Sequence, residues 1–302
     1  MGTQAATEQA YQHCLGIAQG HYENFPVASR LIPAQLRRPI AAIYAFARHA
    51  DDLADEGDAD NQERLLDLEF WEEKLSRIES GFAADHPVFI ALADTIDQYR
   101  LPSSLFHDLI SAFRQDVTKK RYANQDEVLD YCRRSANPVG RLLLHLMGLD
   151  SEKNLSRSDS ICSALQIINF LQDIQQDLEE NNRVYLPQER LDDFDVSEAD
   201  LTARSPSTDL RQLLEFQIKD TRSLMLRGAP LAADIGGRFG MELRATVLGG
   251  LKILDKLEKA TNPLSRPRLT KGDWMSIGWS TLATGAFRAR IKTPVTIKNK
   301  NT

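Results

Sequence analysis

Apolar residues in this chain recur three and four positions apart from about residue 39 to residue 260, and nowhere alternate with the period of two that a half-buried strand requires. The pattern predicts helices over 39–56, 61–79, 87–98, 103–118, 125–147, 158–180, 208–233 and 238–260. Helices with an apolar face and no sheet to cover can bury that face only on one another, so the fold class is all-α, a helical bundle. At 302 residues, 42% of them hydrophobic, the chain can build a large core. Clusters of Pro, Asn and Ser separate the helices: "LPSS" before 103, "NNRVYLPQE" after 180 and "RSPSTD" before 208. The gap at 181–207 is long for a linker in a compact domain and reads as a functional loop. There is no composition shift and no solenoid repeat. One domain is therefore expected over 21–265, preceded by an N-terminal extension, 1–20, and followed by a basic C-terminal tail, 266–302.

Bulk features narrow the function classes. No apolar run approaches the roughly 18 residues of a spanning helix, and "MGTQAATEQAYQHC" lacks the basic start and apolar stretch of a signal peptide. A cytoplasmic location is expected, at most peripheral at the inner face of the membrane. Cys14, Cys132 and Cys162 are odd in number and widely spaced, which suits reduced core residues better than disulfides or a zinc site. The net charge of −6 is uneven: from Asn262 onward eight Lys/Arg meet one acid, Asp273, and removing this +7 leaves −13 for the rest. An acidic body argues against a nucleic-acid partner. The tail also holds Trp274, Trp279 and Phe287, and has two readings: contact with an anionic membrane surface, or a last helix followed by a basic terminus.

"YAFARHADDLADEG", residues 44–57, ends a predicted helix with Asp51, Asp52, Asp55 and Glu56. The carbonyls at a helix C-terminus disfavour each carboxylate there by about 0.3–1 kcal/mol, and Gly57 sits where the left-handed residue past the end belongs. A bound cation is the simplest offset. A second pair, Asp173 and Asp177, lies in "QIINFLQDIQQDLEENN". Residues four apart project the same way from a helix, so each pair presents its two carboxylates together. Asp126 and Asp130 form a third pair, read as surface charge. The first two differ from it in the stripes they continue. Tyr44, Arg48, Asp51 and Asp55 make one; Gln166, Asn169, Asp173 and Asp177 make the other, beside an apolar stripe of Ile167, Leu171, Ile174 and Leu178. Polar and core faces that abut suit a helix lining a polar cavity, although a solvated acidic face would look similar.

Ligand type points to metal type. No histidine has a carboxylate three residues upstream, so a di-iron signature is absent, and all-oxygen ligands point to Mg²⁺ or Mn²⁺. Magnesium is usually held by one or two carboxylates plus substrate phosphates, so two aspartate pairs facing each other across a bundle would bind a diphosphate ester. The forked donors of Arg48 and Arg183 suit phosphate oxygens, while the plainer readings make Arg48 a neutraliser of Asp51 and Arg183 a loop residue.

These residues resemble the squalene/phytoene synthase family over about 20–260, through "NFPVASRLIP", "RRPIAAIYAFARHADDLADE", the "YC" segment, "NFLQDIQQDLEENNRVYLPQE" and "GMELRATVLGGLKILDKLEK". The resemblance implies an isoprenoid-synthase bundle whose central cavity is flanked by the two aspartate-rich helices, acting on prenyl diphosphates. It implies Mg²⁺ held by Asp51, Asp55, Asn169, Asp173 and Asp177. It also implies substrate contacts from Phe25, Arg30, Tyr44, Arg48, Tyr131, Gln166, Asn169, Arg183 and Tyr185, with Phe25, Tyr44 and Phe170 shielding a carbocation.

Within the family, "NFPVASRLIP" and "YCRRSANPVGRLLLHLMG" are most similar to the hydroxysqualene synthase branch of the squalene and hopanoid route. Those carbon–oxygen lyases convert presqualene diphosphate to an alcohol, quenching the cation with water. Two departures from condensing relatives carry the choice: Ser135, Ala136, Asn137 and Pro138 after "YC", and Leu251 where a tyrosine is common. Pro138 frees an upstream carbonyl, and Ser135 and Asn137 beside the kink would hold the water, unless the kink serves packing alone. Reduced nicotinamide is not expected: no GxGxxG is present, and "IGGRFG" at 235–240 lacks a preceding strand. A condensing synthase making presqualene diphosphate, squalene or phytoene is the alternative reading, and a non-catalytic lipid-binding or assembly protein a remoter one. Hand-over of product to other enzymes of the route is a further expected partnership.

Overall fold

The computed structural model describes residues 2–20, 32–203, 205–282 and 284–291. Among the described residues the fold is all-α, its one β contact an isolated bridge between Arg121 and Val184. In chain order the helices are α1 (Gly2–Gly20), α2 (Arg37–Asp55), α3 (Asn61–Glu79), α4 (Pro87–Tyr99), α5 (Ser104–Thr118), α6 (Gln125–Ser135), α7 (Asn137–Leu146), α8 (Glu152–Gln172), α9 (Ile174–Asn181), α10 (Gln188–Asp193), α11 (Thr208–Gly228), α12 (Pro230–Asp234), α13 (Gly237–Lys259), α14 (Lys271–Leu282) and α15 (Thr284–Ile291). They group into two compact units, Met1–Lys119 with Arg133–Leu155, and Lys120–Cys132 with Ser156–Thr302.

In the first unit α2 is central. Its buried face, Ile40, Ile43, Phe46 and Ala50, follows the three-and-four spacing and packs on α1, α3, α4 and α5. Phe46 meets the edges of Phe89 and Phe106, with centroids 5.8 and 5.3 Å away, and stacks on Trp71. The expected N-terminal extension is instead a helix of this core. Ala10, Tyr11, Cys14 and Ala18 bury one side of α1, and the Tyr11 hydroxyl bonds Asp94 at 2.7 Å. The start of α3 is fixed by a reciprocal cap: Asp60 accepts from the amides of Gln62 and Glu63, and Glu63 accepts from the Asp60 amide.

In the second unit glycines set how closely helices approach. A Cβ on Gly228 of α11 would fall 2.5 Å from the Arg157 carbonyl oxygen of α8, and one on Gly250 of α13 would fall 2.8 Å from Met225 Cε of α11. Buried Arg244 of α13 donates to the carbonyls of Ala232 and Thr281, tying α12 and α14 to α13. Contrary to the expected loop, 181–207 holds α10 and a 3-10 turn, Glu198–Thr202. It is fastened to 120–123 by Val184 N to Lys120 O, Gln188 N to Tyr122 O and Glu189 N to Ala123 O, and by the Arg121–Glu198 ion pair. In the expected tail, one reading of which was a last helix, two helices form, α14 and α15, with Phe287 fully buried.

Three helices read as single are interrupted. The predicted 125–147 breaks at Ala136 and 208–233 breaks at Ala229, in each case with a proline, Pro138 or Pro230, in the first turn of the next helix, where its missing N–H costs nothing. The predicted 158–180 begins earlier and bends at Asp173, whose ψ is 14°. Hydrogen bonds from Asp173 N to Asn169 O and from Asp177 N to Asp173 O carry the helical register through the bend, so the four polar residues keep one face.

Candidate active site

Each unit carries one aspartate pair. At the end of α2 the acids stand as the sequence places them, with Glu56 extended and Gly57 left-handed at φ +77°. The chain itself supplies part of the positive charge that this end lacks. Arg48 meets Asp52 at 2.6 Å, Glu56 at 2.5 Å and Asp51 only at 3.5 Å, so its guanidinium is held by acids of its own helix end. Arg64 of α3, unremarked in the sequence, donates to the carbonyls of Glu56, Gly57 and Ala59 at 2.8–3.0 Å and to that of Leu53 at 3.5 Å. It thus sets a positive charge just past the helix end, where it offsets the negative end of the dipole, with one long contact to a last-turn carbonyl, that of Leu53.

Asp51 is still unbalanced. Burial raises its pKa from 3.8 to about 7, with repulsion from Asp55 adding, attraction to Arg48 opposing, and Asp116 and Asp52 contributing further. Protein crowds the carboxyl group while 42% of its side-chain surface stays open to water, so the full effect of burial is moderated by solvent. Asp55 is exposed and Tyr44 half-buried on the same helix. Asp116 of α5 is a buried carboxylate that sequence reading missed. A signal was there: it occupies a position in the apolar stripe of Leu105, Leu109 and Ala112, where a charge needs a reason.

On α8 and α9, Gln166, Asn169, Asp173 and Asp177 are all half-buried, while Ile167, Leu171 and Ile174 beside them are buried. The decoy acids Asp126 and Asp130 are exposed. Arg266, assigned by sequence to the tail, grips Asp173 with both arms of its fork, Nε to Oδ1 at 2.5 Å and a terminal nitrogen to Oδ2 at 3.0 Å, and also bonds Gln176. Burial nonetheless raises the Asp173 pKa, against the opposing Arg266 and Arg268.

Close to this face the rings of Phe170 and Tyr185 stack 3.6 Å apart and nearly parallel, with Tyr131 5.7 Å and Tyr122 5.4 Å from Tyr185. Tyr122 was not anticipated from sequence; the backbone bonds that fasten 184–189 to 120–123 bring it in. Arg183 is buried, donates to the Tyr185 hydroxyl at 3.1 Å and lies over its ring. In the first unit Asn137 is buried, and the Ser135 hydroxyl oxygen is buried without a hydrogen-bond partner among the described residues. Leu251 is core, as its missing hydroxyl allows. Phe25 and Arg30 lie outside the described residues.

Among the described residues no three His, Cys, Asp or Glu side chains converge into a metal site of their own. Oxygen-only pairs, each with one carboxyl, Asp51 or Asp173, held at raised pKa by burial, fit a hard cation that completes its shell with phosphate oxygens.

Comparison with known proteins gives a consistent answer. Residues 18–274 match the family described as squalene/phytoene synthase. The hydroxysqualene synthase of Zymomonas mobilis is 39% identical over 74% of this chain and 75% of its own, and that of Sinorhizobium fredii is 36% identical over 91% and 95%. A crystal structure described as squalene synthase HpnC from Alicyclobacillus acidocaldarius superposes with a TM-score of 0.78, at 35% identity, over 84% of this chain and 94% of that one.

Proposed function

This chain belongs to the squalene/phytoene synthase family, and from that premise we propose that it is a hydroxysqualene synthase, converting presqualene diphosphate and water to hydroxysqualene and diphosphate. The observation that carries the reading is the likeness to hydroxysqualene synthases at 36–39% identity over most of the chain. The site chemistry is compatible with it. Asp51 and Asp55, and Asp173 and Asp177 with Asn169, would hold Mg²⁺ together with diphosphate oxygens. The metal, when bound, withdraws electron density from the departing diphosphate.

The chain's own residues account for the rest of the reaction. The carbon–oxygen bond breaks with its electron pair leaving on diphosphate, and Arg48 and Arg183 stabilise that charge through forked donors. Arg48 must first exchange its hold on Asp52 and Glu56 for the phosphate oxygens. The π-faces of Phe170, Tyr185, Tyr131 and Tyr122 stabilise the rearranging cation without offering it a nucleophile. A water held by the orphaned Ser135 hydroxyl and by Asn137 forms the new carbon–oxygen bond and gives up a proton to solvent.

The test is incubation of the purified chain with presqualene diphosphate and Mg²⁺ in ¹⁸O-water, without reduced nicotinamide, followed by mass spectrometry of the organic extract. A labelled thirty-carbon alcohol, absent with EDTA, is expected. Survival of presqualene diphosphate beside consumption of farnesyl diphosphate in a parallel tube would instead make the chain a condensing synthase.

A further inference from the structure

Seven large hydrophobic side chains are strongly exposed among the described residues, and four of them stand on one helix: Trp274 (56%), Met275 (73%), Trp279 (78%) and Leu282 (68%) of α14. At about 100° per residue these four and Gly278 fall within an arc of about 140°, and Lys271 lies inside the same arc. The inner side of α14, Asp273, Ile277 and Thr281, is buried, and the helix packs on α13. The outer face therefore has no partner among the described residues of its unit. At ~200 Å² for a whole large side chain it exposes on the order of 500 Å² of apolar surface in one place, near the upper limit for a monomer.

Charge indicates what covers it. Asp273, the single acid after Asn262, is turned inward: Lys256 holds it at 2.7 Å, Lys252 lies at 3.4 Å, and the Thr270 amide and hydroxyl both donate to it at 2.8 Å. Its charge is spent within the fold. The basic residues around it in sequence, Lys271 and exposed Arg288 with Lys292, Lys298 and Lys300 beyond, belong to a segment of +7 on a body of −13. Tryptophan and leucine on one side with lysine and arginine about them is the composition of a segment that settles into the headgroup region of an anionic bilayer. No helix among the described residues is long and apolar enough to cross a membrane, so contact of this kind would be peripheral.

We propose that the outer face of α14 docks the protein on an anionic lipid surface, with Trp274, Met275, Trp279 and Leu282 entering the headgroup boundary and the neighbouring basic residues engaging lipid phosphates. The inference is independent of the reaction assigned above.

Tryptophan emission gives a direct readout, because Trp71, the third tryptophan, is buried. The full chain is mixed with phosphatidylcholine vesicles containing about one-third phosphatidylglycerol, or with phosphatidylcholine alone, and assayed by emission and by flotation. Expected are a blue shift and flotation with the anionic vesicles only, weakened by 0.5 M NaCl, and at least tenfold weaker binding for W274S/W279S at unchanged circular dichroism. Absence of binding, equal binding to neutral vesicles, or undiminished binding by the double variant would each overturn the proposal. So would concentration-dependent self-association abolished by W274S/W279S without vesicle binding, which would make a second copy the occupant.

Discussion

Replacing Asp51 by Asn should stabilise the protein in EDTA while removing its catalysis. The Asp51 carboxyl is raised from 3.8 to about 7, chiefly by burial and then by Asp55. Below pH 3.8 the group is neutral in both folded and unfolded chains and costs nothing. Between 3.8 and about 7 only the unfolded chain ionises, so the cost to folding grows with pH, and above about 7 it is constant. At about 1.4 kcal/mol per pH unit the ceiling is about 4 kcal/mol. Because 42% of the side chain is open to water, screening cuts this to about 1–2 kcal/mol. D51N escapes the cost, so its thermal midpoint in EDTA at pH 8 should lie about 2–5 °C above that of the parent. The advantage should fall to less than half at pH 5, since most of the cost arises between pH 5 and 7. Differential scanning calorimetry at the two pH values, beside the alcohol-forming assay, measures both halves. A D51N protein less stable than the parent at pH 8, or an advantage independent of pH, would refute the view that these acids await a cation.

Four other outcomes can be checked. R64Q loses the guanidinium donors on the carbonyls of Glu56, Gly57 and Ala59 and should cost about 2 kcal/mol in urea unfolding. R266Q frees both oxygens of Asp173 and should tighten Mn²⁺ binding, read by electron paramagnetic resonance, about two- to tenfold; unchanged affinity would refute competition between Arg266 and metal. At His107, burial lowers the imidazole pKa, but hydrogen bonds to Glu72 and Glu79 raise it overall, so its stabilisation is full below 6.5 and lost as pH rises through the raised value. H107Q should accordingly cost about 1 kcal/mol at pH 5.5 and almost nothing at pH 9. S135A should lower the share of alcohol among thirty-carbon products severalfold, by removing the hydroxyl that has no partner among the described residues.

Much of the fold was legible because local signals agreed. The helix predicted at 61–79 is α3 to the residue, since an apolar stripe coincides with the Asp60–Glu63 cap. The elements that were missed or left open lacked such agreement. In α1 the buried residues are small apart from Tyr11 and are diluted by polar neighbours, while α14 presents its large apolar residues to solvent, so neither shows the large core stripe that marks a helix in sequence. The bend at Asp173 carries no proline or glycine and could not be read at all. The aspartate faces were legible because spacing along one helix decides which side chains share a side.

Apart from Arg48, their counter-charges were not legible, because these come from other elements. Arg64 reaches back across a turn to the end of α2, and Arg266 reaches Asp173 over a separation of 93 residues. This difference makes the two pairs unequal. Among the described residues Asp173 has Arg266 against both oxygens, whereas the ion pair of Asp51 is the weak 3.5 Å contact to Arg48, which Asp52 and Glu56 hold more closely. A cation arriving at Asp51 would relieve its repulsion from Asp55 against only that long contact to Arg48; one arriving at Asp173 would have to displace the Arg266 ion pair and its hydrogen bond to Oδ2. Of the two carboxyl groups, Asp51 is thus the one that a metal ion would relieve more. Arg266, if released from Asp173, would become a forked donor for phosphate oxygens.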